Sequence, residues 1–319
     1  MRIKAGMSTD KGRKRSHNED ALYADQSMGL FVIADGMGGH KAGEVASRIA
    51  IENIVKDLGK SLSAHECPVL GEYREDFSAE TNKLASSVRL ANQEIFKASQ
   101  EKSECNGMGA TVVAICLSGN IMSMAYVGDS RLYLIRNNEI DQLTDDHSLV
   151  YEQLKKGVIS EKEAKESHYR NIITRALGVE NTVEVELDEQ VVLVNDCILM
   201  CSDGLYDMVD DDEILNTVLK NSKKPQKACD SLVELANDNG GSDNISVILL
   251  RLSEKEVMQE KIGNYKVIEE IGKGAMAVVY KAIQPSLNRT VAIKVLSQEL
   301  TSDSQFTPRF LIDDGKEGM

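Results

Sequence analysis

Aspartates stand at the ends of apolar segments in four places along this sequence. Each is flanked by Gly or Ser, and the four are Asp35, Asp129, Asp203 and Asp243. Small neighbours let the backbone turn sharply and bring a carboxylate and a carbonyl to one point. Any single Asp of this kind is more often a turn residue than a ligand. Four of them, with Glu19 and Asp20 ahead of the first, favour one shared site.

A carboxylate cluster of this kind constrains the chemistry. Two like charges ~4 Å apart at an effective dielectric constant near 20 repel each other by about 4 kcal/mol. The cluster must therefore be protonated or hold a cation. Because every donor is oxygen, with no His or Cys in the set, the sequence predicts Mg²⁺ or Mn²⁺ in a site for two or three ions, not Zn²⁺.

The elements that would position these carboxylates follow from hydrophobic periodicity. Apolar residues at helical spacing predict helices over Ala42–Leu58 and Ala79–Ser103. Three strands with short turns between them, Ala110–Leu117, Ile121–Val127 and Arg131–Arg136, predict an antiparallel meander. Further strands are predicted at Leu30–Ala34, Val183–Leu187, Gln190–Val194, Cys197–Cys201 and Ile245–Leu252, and further helices at Ser148–Ser167, Asp211–Leu219 and Lys227–Asn237.

Helices thus come in pairs around runs of strands. This order favours an α/β (α+β) fold of antiparallel sheets packed face to face with helices outside, over a doubly wound parallel sheet. We expect one domain over residues 1–253, a charged helical linker over 254–264 and a second, β-rich piece over 265–319.

Composition excludes several classes of protein. The chain has 319 residues and a formal charge of −14, which argues against a general nucleic-acid binder because phosphate contacts need clustered Lys and Arg. We find no apolar run of membrane-spanning length and no signal-peptide pattern. Six Cys without a CxxC pair are typical of reduced thiols. We expect a cytoplasmic protein.

Eight segments, in order and spacing, resemble the metal-dependent type 2C serine/threonine protein phosphatases (PPM family) in their bacterial form. The resemblance spans about residues 1–252 and rests on RSHNED, VIADGMGGHKAGEVAS, GMGATVV, VGDSRLYL, LTDDHS, ITRALG, LMCSDGLYD and SDNISV. It implies a four-layer α-β-β-α sandwich of two antiparallel sheets flanked by helices, in agreement with the interpretation above. It also implies hydrolysis of phosphoserine and phosphothreonine by a hydroxide that bridges two metal ions.

The resemblance assigns metal ligands to matching positions. Asp35 would bridge two ions, and the Gly36 carbonyl would bind one of them. Asp203 and Asp243 would complete the ligands of the first ion. Glu19 would face the second ion, directly or through water.

The same resemblance assigns the remaining roles. Asp129, with Asp203, would hold a looser third ion, and Asp20 would orient a water. Arg15 would clamp the substrate phosphate, because a guanidinium can grip two phosphate oxygens at once. His40 is either a general acid for the leaving oxygen or a structural His near a helix start, and both interpretations stay open.

The segment from Ser148 to about Asn171 corresponds to the flap of bacterial members. Its many Lys and Glu residues indicate a solvated helical face, alongside a role in substrate selection. The expected partners are phosphorylated proteins, the substrates of a cognate serine/threonine kinase.

Residues after Tyr265 resemble a different family, the N-lobe of Hanks-type serine/threonine kinases. Gly272 and Gly274 occupy the phosphate-covering loop, and Lys294 in VAIK occupies the position of the lysine that pairs ATP phosphates. The chain contains no HRD or DFG motif. We therefore expect this truncated piece to be catalytically incompetent.

Two alternatives come from other functional classes. The chain could be a non-catalytic regulator of a kinase pathway that binds phosphoproteins, or a nucleotide-binding kinase remnant. Retention of Arg15 and of the aspartates speaks against the regulator, because a decayed site usually loses its ligands.

Overall fold

The chain folds into two compact units, residues 1–253 and 254–319. The computed structural model describes residues 1–38, 42–63, 69–101, 103–160, 163–164, 167, 169, 171–254, 261–274 and 277–296.

Two five-stranded antiparallel sheets form the centre of the first unit. Sheet 1 has the order β2-β3-β4-β5-β8, with bounds Asp20–Asp25, Leu30–Met37, Gly109–Ser118, Ile121–Val127 and Glu186–Val191. Sheet 2 has the order β1-β10-β9-β6-β7, with bounds Arg2–Asp10, Ile245–Ser253, Cys197–Cys201, Arg131–Arg136 and Glu139–Gln142.

Helices cover the outer face of each sheet. On sheet 1 lie α1 (Ala42–Ser63) and α2 (Ala79–Glu101), and on sheet 2 lie α5 (Asp211–Lys220) and α6 (Pro225–Asp238). The inner faces meet in a core formed by Phe31, Ile33, Val113, Ile115, Leu132, Ile198, Met200, Ile248 and Leu250. Strand β4 is buried from Gly109 to Cys116, because helices cover one of its faces and sheet 2 the other. The α-β-β-α layering predicted from the sequence is confirmed.

The predicted meander is wrong at its third strand. Strands β4 and β5 pair in sheet 1, but Arg131–Arg136 (β6) pairs with β7 and β9 in sheet 2. The turn Gly128-Asp129-Ser130 therefore passes from one sheet to the other instead of closing a hairpin. Likewise, the two strands predicted between 183 and 194 are a single strand, β8.

The remaining helical predictions differ mainly at their ends. The segment predicted as a helix over Ser148–Ser167 contains α3 (Leu149–Lys155), which begins after the N-cap Ser148. A single turn, α4 (Asp203–Tyr206), follows β9. None of the described helices is long and apolar enough to cross a membrane.

The second unit contains a four-stranded antiparallel sheet, β11-β12-β13-β14, with bounds Lys261–Ile262, Tyr265–Lys273, Ala277–Gln284 and Arg289–Leu296. The helix predicted over 254–264 falls mostly outside the described residues. Its end, Lys261–Ile262, pairs with Tyr265 and Lys266 as a strand and not as a helix.

Candidate active site

Five aspartates from separate parts of the chain face one another at one edge of the sandwich. We call Asp20, Asp35, Asp129, Asp203 and Asp243 the carboxylate centre. On sheet 1, Asp35 at the end of β3 lies opposite Asp20 of β2. Asp129 follows β5, whereas Asp203 and Asp243 flank β9 and β10 of sheet 2. The centre therefore draws on both sheets.

The electrostatics of these side chains demonstrate their proximity. Burial raises the pKa of Asp35 well above its usual range, and the charges of Asp20, Asp203, Asp129 and Asp243 raise it further. The pKa of Asp203 is raised for the same two reasons, burial and then the neighbouring carboxylates. Such mutual effects require the groups to be close across a poorly solvated space.

Two further members of the carboxylate centre share this behaviour. Burial raises the pKa of Asp20 to about 6, even though hydrogen bonds to its carboxylate act in the opposite direction. Burial and the charge of Asp146 raise the pKa of Asp129 to about 6. The metal-free centre thus holds protons at a pH where ordinary carboxylates are ionised.

The residues present fit a hard divalent cation. Two carboxylate oxygens, Asp20 Oδ1 and Asp203 Oδ1, are buried without a hydrogen-bond partner, and orphaned anionic oxygens are costly unless a cation or water satisfies them. Among the described residues, no three His, Cys, Asp or Glu side chains close into a compact metal cluster by themselves. The fit therefore rests on the oxygen chemistry of the carboxylates and on these two unpartnered atoms.

Glu19 and Gly36 lie beside this centre. The Gly36 N–H donates to the Glu19 carbonyl over 3.2 Å. A Cβ on Gly36 would come within 2.0 Å of the Gly43 carbonyl oxygen, so only glycine fits there. Burial raises the pKa of Glu19, while nearby Arg15 lowers it.

Arg15 lies at the open side of the site. Its side chain is 53% exposed, and its Nη2 lies 2.6 Å from Asp243 Oδ2. The pair joins the residue expected to hold phosphate to a residue expected to hold metal. Arg15 can reach a substrate oxygen because half of its side chain is open to solvent.

Asn244 is a site residue that the sequence analysis did not single out. Its Oδ1 accepts the Glu19 N–H over 2.8 Å, and its Nδ2 donates to the carbonyls of Lys11 and His17. This buried amide fixes the loop that carries Arg15 and Glu19. The only local signal was its place beside Asp243.

A second unpredicted group supports Asp129 from the interior. The Tyr206 hydroxyl donates to the Asp129 carbonyl over 3.1 Å, and the Arg131 guanidinium lies 3.6 Å from the Tyr206 ring centroid. Both carboxylate oxygens of Asp146 accept hydrogen bonds from this guanidinium, and the shortest, from Arg131 Nη2 to Asp146 Oδ2, is 2.7 Å. Since Tyr206 ends the turn that Asp203 begins, this hydroxyl ties Asp203 to Asp129.

Asp20 and His147 have clear local partners. Ser202 Oγ donates to Asp20 Oδ2 over 2.9 Å, leaving the other oxygen of that carboxylate free for the site. His147 Nδ1 accepts the Gly128 N–H over 3.0 Å, and the His147 ring stacks on Tyr126. His147 thus has a structural role in holding the turn that precedes Asp129.

The remaining predicted residues are either outside the described residues or in the second unit. His40 is outside the described residues, as are parts of the flap (161–162, 165–166, 168 and 170). In the second unit, Gly272 pairs with Val279 across β12 and β13, and Lys294 pairs with Val279 across β13 and β14. A cleft of about 410 Å³ between α2 and residues 181–187 contains none of the predicted site residues.

Comparisons with known proteins agree with this site. The family profile described as protein phosphatase 2C matches residues 9–240. The serine/threonine phosphatase stp of Listeria monocytogenes serotype 4b is 39% identical over 249 residues, covering 77% of this chain and 94% of the relative. Protein phosphatase PhpP of Streptococcus pneumoniae (strain D39) is 35% identical over 257 residues, covering 80% and 99%.

Solved structures show the same similarity. The Mycobacterium tuberculosis serine/threonine phosphatase PstP/Ppp superposes with a TM-score of 0.70 at 33% identity, covering 80% of this chain and all of that one. A catalytic domain of PstP in complex with two manganese ions gives a TM-score of 0.66 at 33% identity, covering 79% and 99%. From its sequence, its sandwich and its carboxylate centre, this chain belongs to the protein phosphatase 2C family of metal-dependent serine/threonine protein phosphatases.

Proposed function

We propose that the carboxylate centre is the active site, and that it hydrolyses phosphoserine and phosphothreonine in proteins with Mg²⁺ or Mn²⁺. The observation that carries this proposal is the facing set of five aspartates with two buried, unpartnered oxygens. Asp35, the Gly36 carbonyl, Asp203, Asp243 and Glu19 would hold two ions. A third ion would take Asp129 together with Asp203.

When bound, the ions supply a water of lowered pKa and neutralise charge that develops on the phosphate. The chain's own residues supply the positioning. Arg15 binds the phosphate oxygens from the open side, where its guanidinium can make two parallel contacts. Asp20 Oδ1, the free oxygen of a carboxylate that Ser202 fixes in place, accepts a hydrogen bond from the attacking water. We assign His40 the protonation of the leaving Ser or Thr oxygen.

The test is phosphate release from a phosphothreonine peptide as Mn²⁺ or Mg²⁺ is added to chelator-treated protein. We expect activity that rises with the metal and disappears with excess chelator. Asp203→Asn should lower kcat by orders of magnitude with the fold intact by circular dichroism. Asp212→Asn, which removes an exposed carboxylate on α5, is the matched control and should be fully active. Activity that persists in chelator, or a fully active Asp203→Asn, would contradict the proposal.

The domain assignment is part of the proposal. Residues 1–253 form the phosphatase domain, which accords with the compact unit of the same bounds. Residues 254–264 form the linker. Residues 265–319 form the piece that resembles a kinase N-lobe, and we expect no kinase activity from it because it contains neither an HRD nor a DFG motif. The described part of this piece supports the resemblance only in being an antiparallel sheet of four strands. Calorimetric titration with ATP tests it, since heat saturating at one site would favour nucleotide binding and a flat trace would remove that function.

The pathway assignment rests on chemistry and composition. A serine/threonine phosphatase needs a kinase to make its substrates, so we propose that a cognate serine/threonine kinase supplies them. The alternative, a non-catalytic regulator that binds phosphoproteins, requires tight phosphopeptide binding without turnover in the same assay. We also propose a cytoplasmic location, supported by five described cysteines that are all buried and free.

A further inference from the structure

A run of cations lies beside the carboxylate centre in an otherwise acidic unit. Lys11, Arg13, Lys14 and Arg15, here called the basic segment, are all exposed. Of the formal charge of −14, all but one unit belongs to residues 1–253, because residues 254–319 hold nine basic and ten acidic residues. Four cations within five positions are therefore a local excess of positive charge beside the site.

The basic segment is fixed in place against the loop that carries Asp243. Arg13 N–H donates to the Gly241 carbonyl over 2.8 Å, and Lys14 N–H donates to the same oxygen over 3.2 Å. Asn244 holds the Lys11 carbonyl from the other side over 3.0 Å. The backbone thus leaves these side chains at a defined position, with little freedom for the segment to move away.

Contact between the two loops is close. Gly12 has φ +78°, and a Cβ there would come within 2.1 Å of the Asp243 carbonyl oxygen. The flanking Lys11 and Arg13 side chains consequently start from backbone that touches the backbone of Asp243. These cations lie within four positions of Arg15 along the same fixed segment.

The cations of this segment are unequally engaged. Arg15 forms the ion pair with Asp243. In the part of the chain that the structure describes, Lys11, Arg13 and Lys14 form no ion pair, and no acceptor for their side-chain nitrogens is seen. Their charges are available to a partner.

We propose that the basic segment selects phosphoprotein substrates that carry Asp or Glu next to the phosphorylated residue. This inference rests on the proposed function, since it assigns a substrate class to the same site. Arg15 takes the phosphate, and Lys11, Arg13 and Lys14 take carboxylates of the flanking residues. Exposed charge pairs of this kind act mainly on encounter and on KM, and salt screens them.

The experiment compares three substrates with the full chain in Mn²⁺. They are a phosphothreonine peptide with acidic flanks, the same peptide with the acids replaced by Gln and Asn, and p-nitrophenyl phosphate, which has no flanks. The variant is Arg13→Gln/Lys14→Gln, at exposed positions. The matched control is Lys223→Gln/Lys227→Gln, which removes the same charge at exposed positions near the start of α6, the end of the helix that packs on Gly6.

We expect the variant to raise KM for the acidic peptide roughly 3- to 10-fold, with kcat within about twofold. The neutral peptide and p-nitrophenyl phosphate should change by less than about twofold, and about 0.5 M salt should abolish the difference. The control should match the wild type on every substrate.

The inference is overturned if the variant loses activity equally on all three substrates, if KM for the acidic peptide does not change, or if the control shows the same change. Wild-type protein that turns over all three substrates without preferring acidic flanks refutes the inference and leaves the proposed function standing. Wild-type protein inert on every substrate with Mn²⁺ refutes both.

Discussion

The metal-free protein should lose stability as the pH rises through the range in which Asp20 ionises. Its pKa in the folded state is about 6, above the ordinary value of 3.8. The folded chain therefore binds more protons than the unfolded chain between these two values. Stability falls with pH wherever that holds. The contribution of Asp20 is fully present below pH ~4 and is lost as the pH passes through about 6.

The size of the effect follows from the shift. About two pKa units correspond to about 3 kcal/mol. About 2 kcal/mol of this is lost between pH 4.5 and 7.5, and the remainder is lost at lower pH, between the two pKa values. Asp20→Asn removes this titration. The free energy of unfolding of the wild type minus that of the variant should then fall by about 2 kcal/mol between pH 4.5 and 7.5.

Urea unfolding in chelator, followed by circular dichroism at several pH values, measures this difference. Carboxylates outside the centre titrate in both proteins and cancel in the subtraction. Asp35 loses the charge of Asp20 in the variant, so its pKa is raised less there and its titration adds to the difference with the same sign. Asp212→Asn, at an exposed position outside the centre, is the control for the removal of one carboxylate. Parallel wild-type and Asp20→Asn curves, or a wild type that gains on the variant as the pH rises, would refute the reasoning.

Three further predictions follow from contacts of the same site. Tyr206→Phe removes the hydroxyl that binds the Asp129 carbonyl. The Mn²⁺ concentration that gives half-maximal activity should therefore rise roughly tenfold, with little change in kcat at saturating Mn²⁺. An activity titration measures this, and an unchanged Mn²⁺ requirement would contradict the prediction. Asn244→Ala leaves one buried N–H and two carbonyls unpaired, so the free energy of unfolding measured in urea should fall by about 2–3 kcal/mol. A loss below about 0.5 kcal/mol would show that the loop does not depend on these hydrogen bonds. Gly12→Ala should lower the free energy of unfolding by roughly 2 kcal/mol or more, because the φ of Gly12 is +78° and the new Cβ meets the Asp243 carbonyl. An unchanged thermal midpoint would mean that the loops carrying Gly12 and Asp243 can separate without cost.

The layers of this fold were predictable because the signals are local. Apolar residues at helical spacing in α1 and α2, and short apolar strands with Gly or Asp at their ends, are visible within a window of about ten residues. The aspartates also face one another as the sequence predicts, since strand ends meet at one edge of a sandwich. Their assignment as ligands is a proposal that rests on family resemblance and on the chemistry of oxygen donors.

The errors arose where pairing is decided far along the chain. The turn at Gly128-Asp129-Ser130 has the composition of a hairpin, but β6 finds its partner in β9, about sixty residues later. The roles of Asn244 and Tyr206 also depend on distant partners. Asn244 acts on Glu19, 225 residues before it, and Tyr206 acts on Asp129, 77 residues before it. No local pattern encodes such contacts.

The carboxylate centre draws on both sheets, and this has a consequence for the stability of the molecule. Asp35 belongs to one sheet and Asp243 to the loop leading into the other, so a cation shared by them would fasten the two layers as a reversible cross-link. Removal of Mg²⁺ or Mn²⁺ by a chelator would then loosen the interlayer core as well as stop turnover. Amide hydrogen exchange at β4 and β9, measured with and without Mn²⁺, should slow on metal addition; identical exchange rates would mean that the layers hold together without the ion.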